Sequence, residues 1–310
     1  MAEQSVDDVI VPAAVLPETA RLTWGGDEFL FVEIAEEMSL AANFRAMSLA
    51  TRLASAQIPG IVDICPSNAS LLVRFNPDLL APDELASAVR EHEAAAASEV
   101  SPHVDTRIIE IPVWYQDPFT AEVQARFRSG YHQRPEGSDL DYAAEVNGLE
   151  TAEEFISRHH EEPWLVSMVG FVAGLPFLFQ LVERDRQLEV PKYLSPRTDT
   201  PALTVGHGGC FSCIYSVRGA GGYQMFGVAA APIFEPAQAL PDFEEFMVLF
   251  KPGDIVKFRP VDEGEYRAIQ AEVAAGTFRY RQVPFTFNVD EALSSPRAYN
   301  HRILEALHGA

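Results

Sequence analysis

The stretch 191–227, PKYLSPRTDTPALTVGHGGCFSCIYSVRGAGGYQMFG, constrains this chain more than any other. Gly206, Gly208 and Gly209 on one side, and Gly219, Gly221 and Gly222 on the other, bracket a short apolar run, CFSCIYSV. Glycines this dense between β-formers mean backbone that turns with positive φ, or backbone that a ligand or another strand approaches closely. The pattern is strand, turn, strand. Beside the glycines stand Lys192, Tyr193, Arg197, His207, Tyr215, Arg218, Tyr223 and Gln224, a polar and cationic set in a chain of 45 acidic against 23 basic residues. Two readings follow: a tight hairpin in a β-barrel, or the rim of a pocket for an anionic or carbonyl-bearing group.

The formal charge of -22 repels a phosphate backbone, which argues against a nucleic-acid partner. A length of 310 residues predicts about two domains. Cys65, Cys210 and Cys213 are too few for a disulfide framework. The N-terminus lacks a positive segment before its apolar residues, and no run of about 18 apolar residues occurs, so neither a signal peptide nor a membrane span is expected. The expected location is a reducing cytoplasm.

Residues 1–19 read as a mobile arm that docks through residues 9–11 and 15–16. Strands at 21–24 and 28–34 flank the turn Gly25, Gly26, Asp27, and Ser39 caps a helix with Leu40, Phe44 and Met47 on one stripe. Strands at 61–65 and 71–75 follow, then a helix from Pro82 into the alanine run, with 107–113 as the next strand. This order predicts an α+β unit of ferredoxin-like type over 20–100. Helices are expected between 116 and 135, over 139–147 with Gly148 as the stop, and over 151–160, where Thr151 and Glu154 suggest a capping box. From 164 to 258 the texture is all-β, giving a second domain over 101–262. Residues 263–310 predict an extension of two helices around a β-like 277–288.

Competing chemistries are weaker. Cys210 and Cys213 form a lone CxxC, yet in a β-run rather than at a helix N-terminus, and His159 and His160 are adjacent on a helix and diverge by about 100°. No GxxxxGK[ST], HExxH or GxSxG is present, and no Met is followed by Lys, so ATP chemistry, a zinc protease and a biotin tether are not indicated and no metal is expected.

The motifs GGDEFLFVEI and IPGIVDICPSNASLLVRFNP, GFVAGLPFL at 170–178 and PGDIVKF at 252–258 resemble the KipI family, also called allophanate hydrolase subunit 1 or the B subunit of 5-oxoprolinase. VPKYLSPRTDTP, VGHGGCFSCIY and GAGGYQMFG, with helices before Asn147 and EYRAIQAEVAAGTFRY near the end, are most similar to the first half of the urea carboxylase carboxyltransferase domain. The chain departs from that pattern: Ala220 replaces a proline, His207 an aliphatic residue, Leu203 a glycine, and Val228 and Ala229 an Arg–Thr pair.

The resemblance implies a cyclophilin-like β-barrel and half of a carboxyltransferase-like site in a multisubunit ATP-dependent carboxylase. Its partners would be KipA-like or hydantoinase/carboxylase-type subunits that use ATP and bicarbonate, and no cofactor is expected on this chain. A diverged subunit of acetophenone carboxylase is one such home. On this reading Lys192 and Arg197 neutralise a carboxyl or phosphate oxygen, and His207 shuttles a proton. Tyr193, Tyr215, Gly221, Gly222, Tyr223 and Gln224 bind and orient the acceptor. Alternatives are a regulatory protein of kinase-inhibitor type and a subunit of a 5-oxoprolinase or allophanate hydrolase.

Overall fold

The computed structural model describes residues 16–97 and 103–309. The arm expected over 1–19 lies outside the described residues as far as residue 15, and so does the boundary expected at 101–102. Contacts divide the chain into two units, 1–99 and 100–310.

In the first unit the strands are β1 (Arg21–Trp24), β2 (Phe29–Glu33), β3 (Ile61–Ser67) and β4 (Ser70–Phe75), and the helices are α1 (Leu40–Ala56) and α2 (Pro82–Ala97). The sheet order is β1-β2-β4-β3 with every pair antiparallel. Alternation decides which side is buried: Leu30 and Val32 on β2 and Leu71 and Val73 on β4 join Leu49, Leu53, Leu85 and Val89 of the helices in one core. Ser39 caps α1, its hydroxyl accepting from Ala42 N at 3.1 Å.

The second unit opens with the long strand β5 (His103–Tyr115), which contains the expected strand 107–113. Three helices follow, α3 (Pro118–Tyr131), α4 (Asp139–Val146) and α5 (Ala152–Glu161). Then come β6 (Trp164–Val169), β7 (Pro176–Gln180), β8 (Arg197–Thr200), β9 (Thr204–Gly208), β10 (Phe211–Ile214), β11 (Gly219–Gly221), β12 (Gln224–Ala229) and β13 (Ile255–Pro260). Seven strands hydrogen-bond in the order β12-β9-β10-β7-β6-β13-β5, and β5 pairs back to β12, so the ring is closed. The remaining pair, β8 and β11, forms a separate two-stranded ribbon. After the barrel, α6 (Glu263–Ala274), β14 (Gln282–Asn288), α7 (Val289–Ser294) and α8 (Pro296–His308) form the extension, and β14 adds to the free edge of β5 outside the ring.

One local expectation changes. Thr151 does accept from Glu154 N at 3.1 Å, but the Glu154 carboxylate bonds Glu150 N instead of returning to Thr151. The reciprocal capping box forms one helix earlier, between Ser138 and Asp141.

Three buried polar side chains, Asp254, His207 and His159, are satisfied by hydrogen bonds in and around the barrel. Asp254, fully buried in the turn before β13, takes both Nε and Nη2 of Arg107 on β5, at 3.2 and 3.0 Å, and Lys251 N at 2.9 Å. Inside the ring, His207 donates Nε2–H to Leu188 O at 3.0 Å, and its ring centroid lies 5.7 Å from that of Trp164. His159, also fully buried, bonds Tyr115 Oη at 2.8 Å and Ser212 Oγ at 3.0 Å.

Asp254→Ala would leave the Arg107 guanidinium without its carboxylate partner, with only the neutral acceptors Gln282 Oε1 and Leu249 O remaining, and we expect a loss of about 3 kcal/mol in urea unfolding. Burial lowers the pKa of His207 to about 4 and that of His159 in the same direction. An unfolded histidine titrates near 6.5, so the stability gained by keeping His207 neutral is complete above that value. It then falls as the pH drops toward about 4, by about 1.4 kcal/mol per pH unit. Urea midpoints at pH 5 should therefore lie below those at pH 7.5, and His207→Gln, which does not titrate, should flatten the slope. A slope unchanged by that substitution would remove His207 from this account.

Candidate functional site

The alternation of β9, TVGHG, divides the expected site residues into two groups. Val205 and His207 point into the barrel, while Gly206 and Gly208 present bare backbone to the other face. Two tyrosine rings lie against that glycine backbone. A Cβ on Gly208 would come within 2.4 Å of Tyr223 Cδ1, and one on Gly221 within 2.5 Å of Tyr215 Oη. The glycines are there because the rings need the space.

These rings wall a cleft of about 310 Å³. Lys192, Tyr193 and Pro196 line it from the segment before β8, Cys213 and Tyr215 from β10 and its end, and Gly221, Gly222 and Tyr223 from the approach to β12. The β6–β7 hairpin adds Phe171, Leu175 and Phe177. Lys192 is exposed, with Nζ 5.2 Å from the Tyr223 ring centroid. Arg197 is fully buried behind the cleft, its Cζ 4.4 Å from the Tyr193 ring centroid. It donates Nη1 to Tyr223 O at 2.8 Å and Nε to Thr200 Oγ1 at 3.3 Å, while Nη2 has no hydrogen-bond partner among the described residues. Burial raises the Tyr215 and Tyr223 hydroxyls above the ordinary tyrosine value, and at Tyr215 the Arg197 charge opposes the shift. Both hydroxyls are therefore protonated donors at neutral pH. Burial also pushes the Cys213 thiol up, so the CxxC presents a thiol to the cleft, not a thiolate.

Beneath Tyr193 lies a polar hub absent from the sequence expectations. Asp139, the first residue of α4 and fully buried, accepts from Tyr193 Oη at 2.8 and 2.9 Å, from Arg128 Nη2 at 2.8 Å and from Met225 N at 2.8 Å. Burial raises its pKa, while the Met225 N–H and the Arg128 charge pull it down. His132 bonds Gln224 Oε1 at 2.8 Å, and Gln224 Nε2 donates to Pro191 O at 2.9 Å. The helices α3 and α4 thus hold the segment that carries Lys192, Tyr193 and Arg197.

The structure brings Lys192, Tyr193, Tyr215, Gly221, Gly222 and Tyr223 together around the cleft and puts Arg197 directly behind Tyr193. It does not bring His207 or the Gln224 side chain there: His207 sits in the barrel core and Gln224 is bound to His132 and Pro191 O. Arg218 is engaged by Asp199 at 2.6 and 2.8 Å, and Arg218 together with Arg126 lowers the pKa of Asp199 to about 2. Phe171 and Phe177 are wall residues that the sequence reading passed over, and Cys213, weighed there only as half of a CxxC, is a third, sharing the period-2 face of one strand with Tyr215. Asp139 reads in sequence only as a favourable first-turn acid. Among the described residues no group of three or more His, Cys, Asp or Glu is placed to hold a metal ion, and no helix is long and apolar enough to cross a membrane.

Residues 20–243 match the family described as carboxyltransferase domain, subdomain C and D. The B subunit of 5-oxoprolinase from Escherichia coli O157:H7 is 31% identical over 249 residues, covering 80% of this chain and 99% of that protein. Its counterpart in Bacillus subtilis (strain 168) is 28% identical over 256 residues, covering 80% of this chain and 95% of that protein. The crystal structure of Kluyveromyces lactis urea carboxylase shares the fold over 100% of this chain, with a TM-score of 0.79 at 23% identity. This chain spans 28% of that larger one. Matched over most of its length, and matching nearly the whole of a relative above 30% identity, the chain belongs to the carboxyltransferase domain, subdomain C and D, family, with the 5-oxoprolinase B-subunit (KipI) proteins among its homologues.

Proposed function

We propose that this chain is one subunit of a multisubunit ATP-dependent carboxylase, of urea carboxylase or acetophenone carboxylase type, and that it supplies half of a carboxyltransferase-like site. The observation that carries the reading is the pairing of Lys192 and Arg197 around an aromatic cleft in a chain of net charge -22. A cation at the rim and a buried one behind the wall make the cleft an anion site in an otherwise anion-repelling molecule.

In this reading Lys192 neutralises the carboxyl oxygen of the group being transferred. Arg197 fixes Tyr193 by its stacked guanidinium and adds positive potential from a water-excluded position. Tyr215 and Tyr223 donate to the acceptor, and the N–H groups near Gly221 and Gly222 extend that cradle. Asp139 positions the wall by holding the Tyr193 hydroxyl. No proton is routed through His207, which lies in the barrel core. ATP and bicarbonate belong to partner subunits of KipA-like or hydantoinase/carboxylase type. The fold likeness to urea carboxylase over the whole chain, residues 263–310 included, supports this branch. We also read residues 20–100 as ferredoxin-like, on the strength of two helices packed against a four-stranded antiparallel sheet, and the closed ring as a cyclophilin-like barrel.

A 5-oxoprolinase-type subunit is the second reading, favoured by the near-complete coverage of two proteins of that name. Tagged protein recovered from its own cell extract separates the two. We expect large ATPase or hydantoinase-like subunits to co-purify and ATP hydrolysis by the eluate to depend on bicarbonate; hydrolysis driven by 5-oxoproline without bicarbonate would select the second reading, and recovery of the chain alone would leave neither. In the reconstituted complex, Lys192→Met should lower kcat by about 10²-fold, the usual cost of one preorganised donor, with assembly intact. Unchanged turnover would remove Lys192 from the site.

A further inference from the structure

Six non-glycine residues among those described have positive φ. Four are Gln57, Asn68, Gln116 and Gln238, polar residues of the kind that turns and helix ends tolerate. The fifth, Leu203 at φ 65, stands where the resembled pattern has glycine; its N–H bonds Tyr215 O at 2.6 Å and its side chain packs on the barrel core. Phe171 is different. It has φ 69, a left-handed backbone that a bulky L-residue adopts only at a cost, and 74% of it is exposed, so burial does little to offset that cost. It follows Gly170 in the β6–β7 hairpin, three residues before Gly174, and it lines the cleft. Glycine at this position would be free of the strain.

We infer that Phe171 is the specificity-determining residue of the cleft, and that the cleft takes a planar, unsaturated carboxylic acid with its π face on Phe171 and its carboxylate toward Lys192. The inference rests on the cleft being a ligand site, as in the proposed function. Its chemistry follows from the walls: Phe171, Phe177, Tyr215 and Tyr223 offer aromatic faces and edges, which favour a flat π system, and Lys192 is the one cationic side chain among the described residues that line the cleft. A strained, exposed aromatic at the wall of such a cleft is the expected signature of a contact made only with ligand.

The test is calorimetric titration of the full chain with benzoate and with cyclohexanecarboxylate, which has the same charge and ring size but no π face. We expect benzoate to bind about fivefold more tightly, the measure of one aromatic contact, and Phe171→Ala and Phe171→Gly each to abolish that preference while cyclohexanecarboxylate binding persists. Phe171→Tyr should retain it. Phe171→Gly should melt no lower than Phe171→Ala, because glycine takes the left-handed backbone without strain. A preference that survives both truncations overturns the role of Phe171, and so does parallel loss of both acids. Failure of both acids to bind, with the unaltered chain and with the reconstituted complex alike, overturns the ligand class, while the carboxylase reading keeps its own co-purification test.

Discussion

The structure of the second unit depends on one long strand changing partners along its edge. β5 pairs with β13 in parallel on one side. On the other side its first half, from His103 to Ile109, takes β14, and its last residues, Val113 to Tyr115, take β12. That last pairing closes the ring. Closure satisfies the backbone groups that an open sheet would leave bare at its edge, and it makes an inside that only side chains can fill. Arg107 and Asp254 secure the same strand to the turn before β13.

Once the ring is closed, strand alternation has chemical consequences. The inside takes Trp164, Phe226 and Phe258 together with two neutral histidines that bond Leu188 O, Tyr115 and Ser212. The other face of the same strands, stripped to glycine on β9, receives the tyrosine rings and becomes the cleft wall. Barrel core and cleft are thus two sides of one ladder, and a residue serves one or the other according to parity.

The cleft is held by groups far away in sequence. Asp139 on α4 bonds Tyr193, and Arg128 on α3 neutralises it, so the helices inserted between β5 and β6 act as the clamp for the segment after 190. A buried carboxylate is tolerable there because each oxygen has donors. Arg197 is less completely paired, with a guanidinium nitrogen left over. That imbalance lies behind the cleft wall, next to the Tyr193 ring.

Much of this was legible in the residues. The strand and helix order of the first unit, the cap at Ser39, the stop at Gly148 and the β texture of 164–258 follow from period, turn chemistry and caps, which are local. So does the meaning of the glycines at 206, 208 and 221: local density of glycine announces close approach, even before the approaching ring is known. The sequence also singled out Lys192, Tyr193, Tyr215 and Tyr223, by their place beside the glycine clusters and by the family resemblance. Direction and distance, by contrast, came with the fold. His207 looked like a site residue because it stands among site glycines, but one step along a strand turns a side chain to the opposite face. Asp139 entered the sequence analysis only as the start of a helix, because the tyrosine and arginine that use it arrive from 54 and 11 residues away. Residues 263–310 showed a strand but not its partner, since pairing with β5 is a contact across more than 170 residues. Period and propensity are written along the chain; parity relative to a closed core, and partners brought by the fold, exist only once the chain has closed on itself.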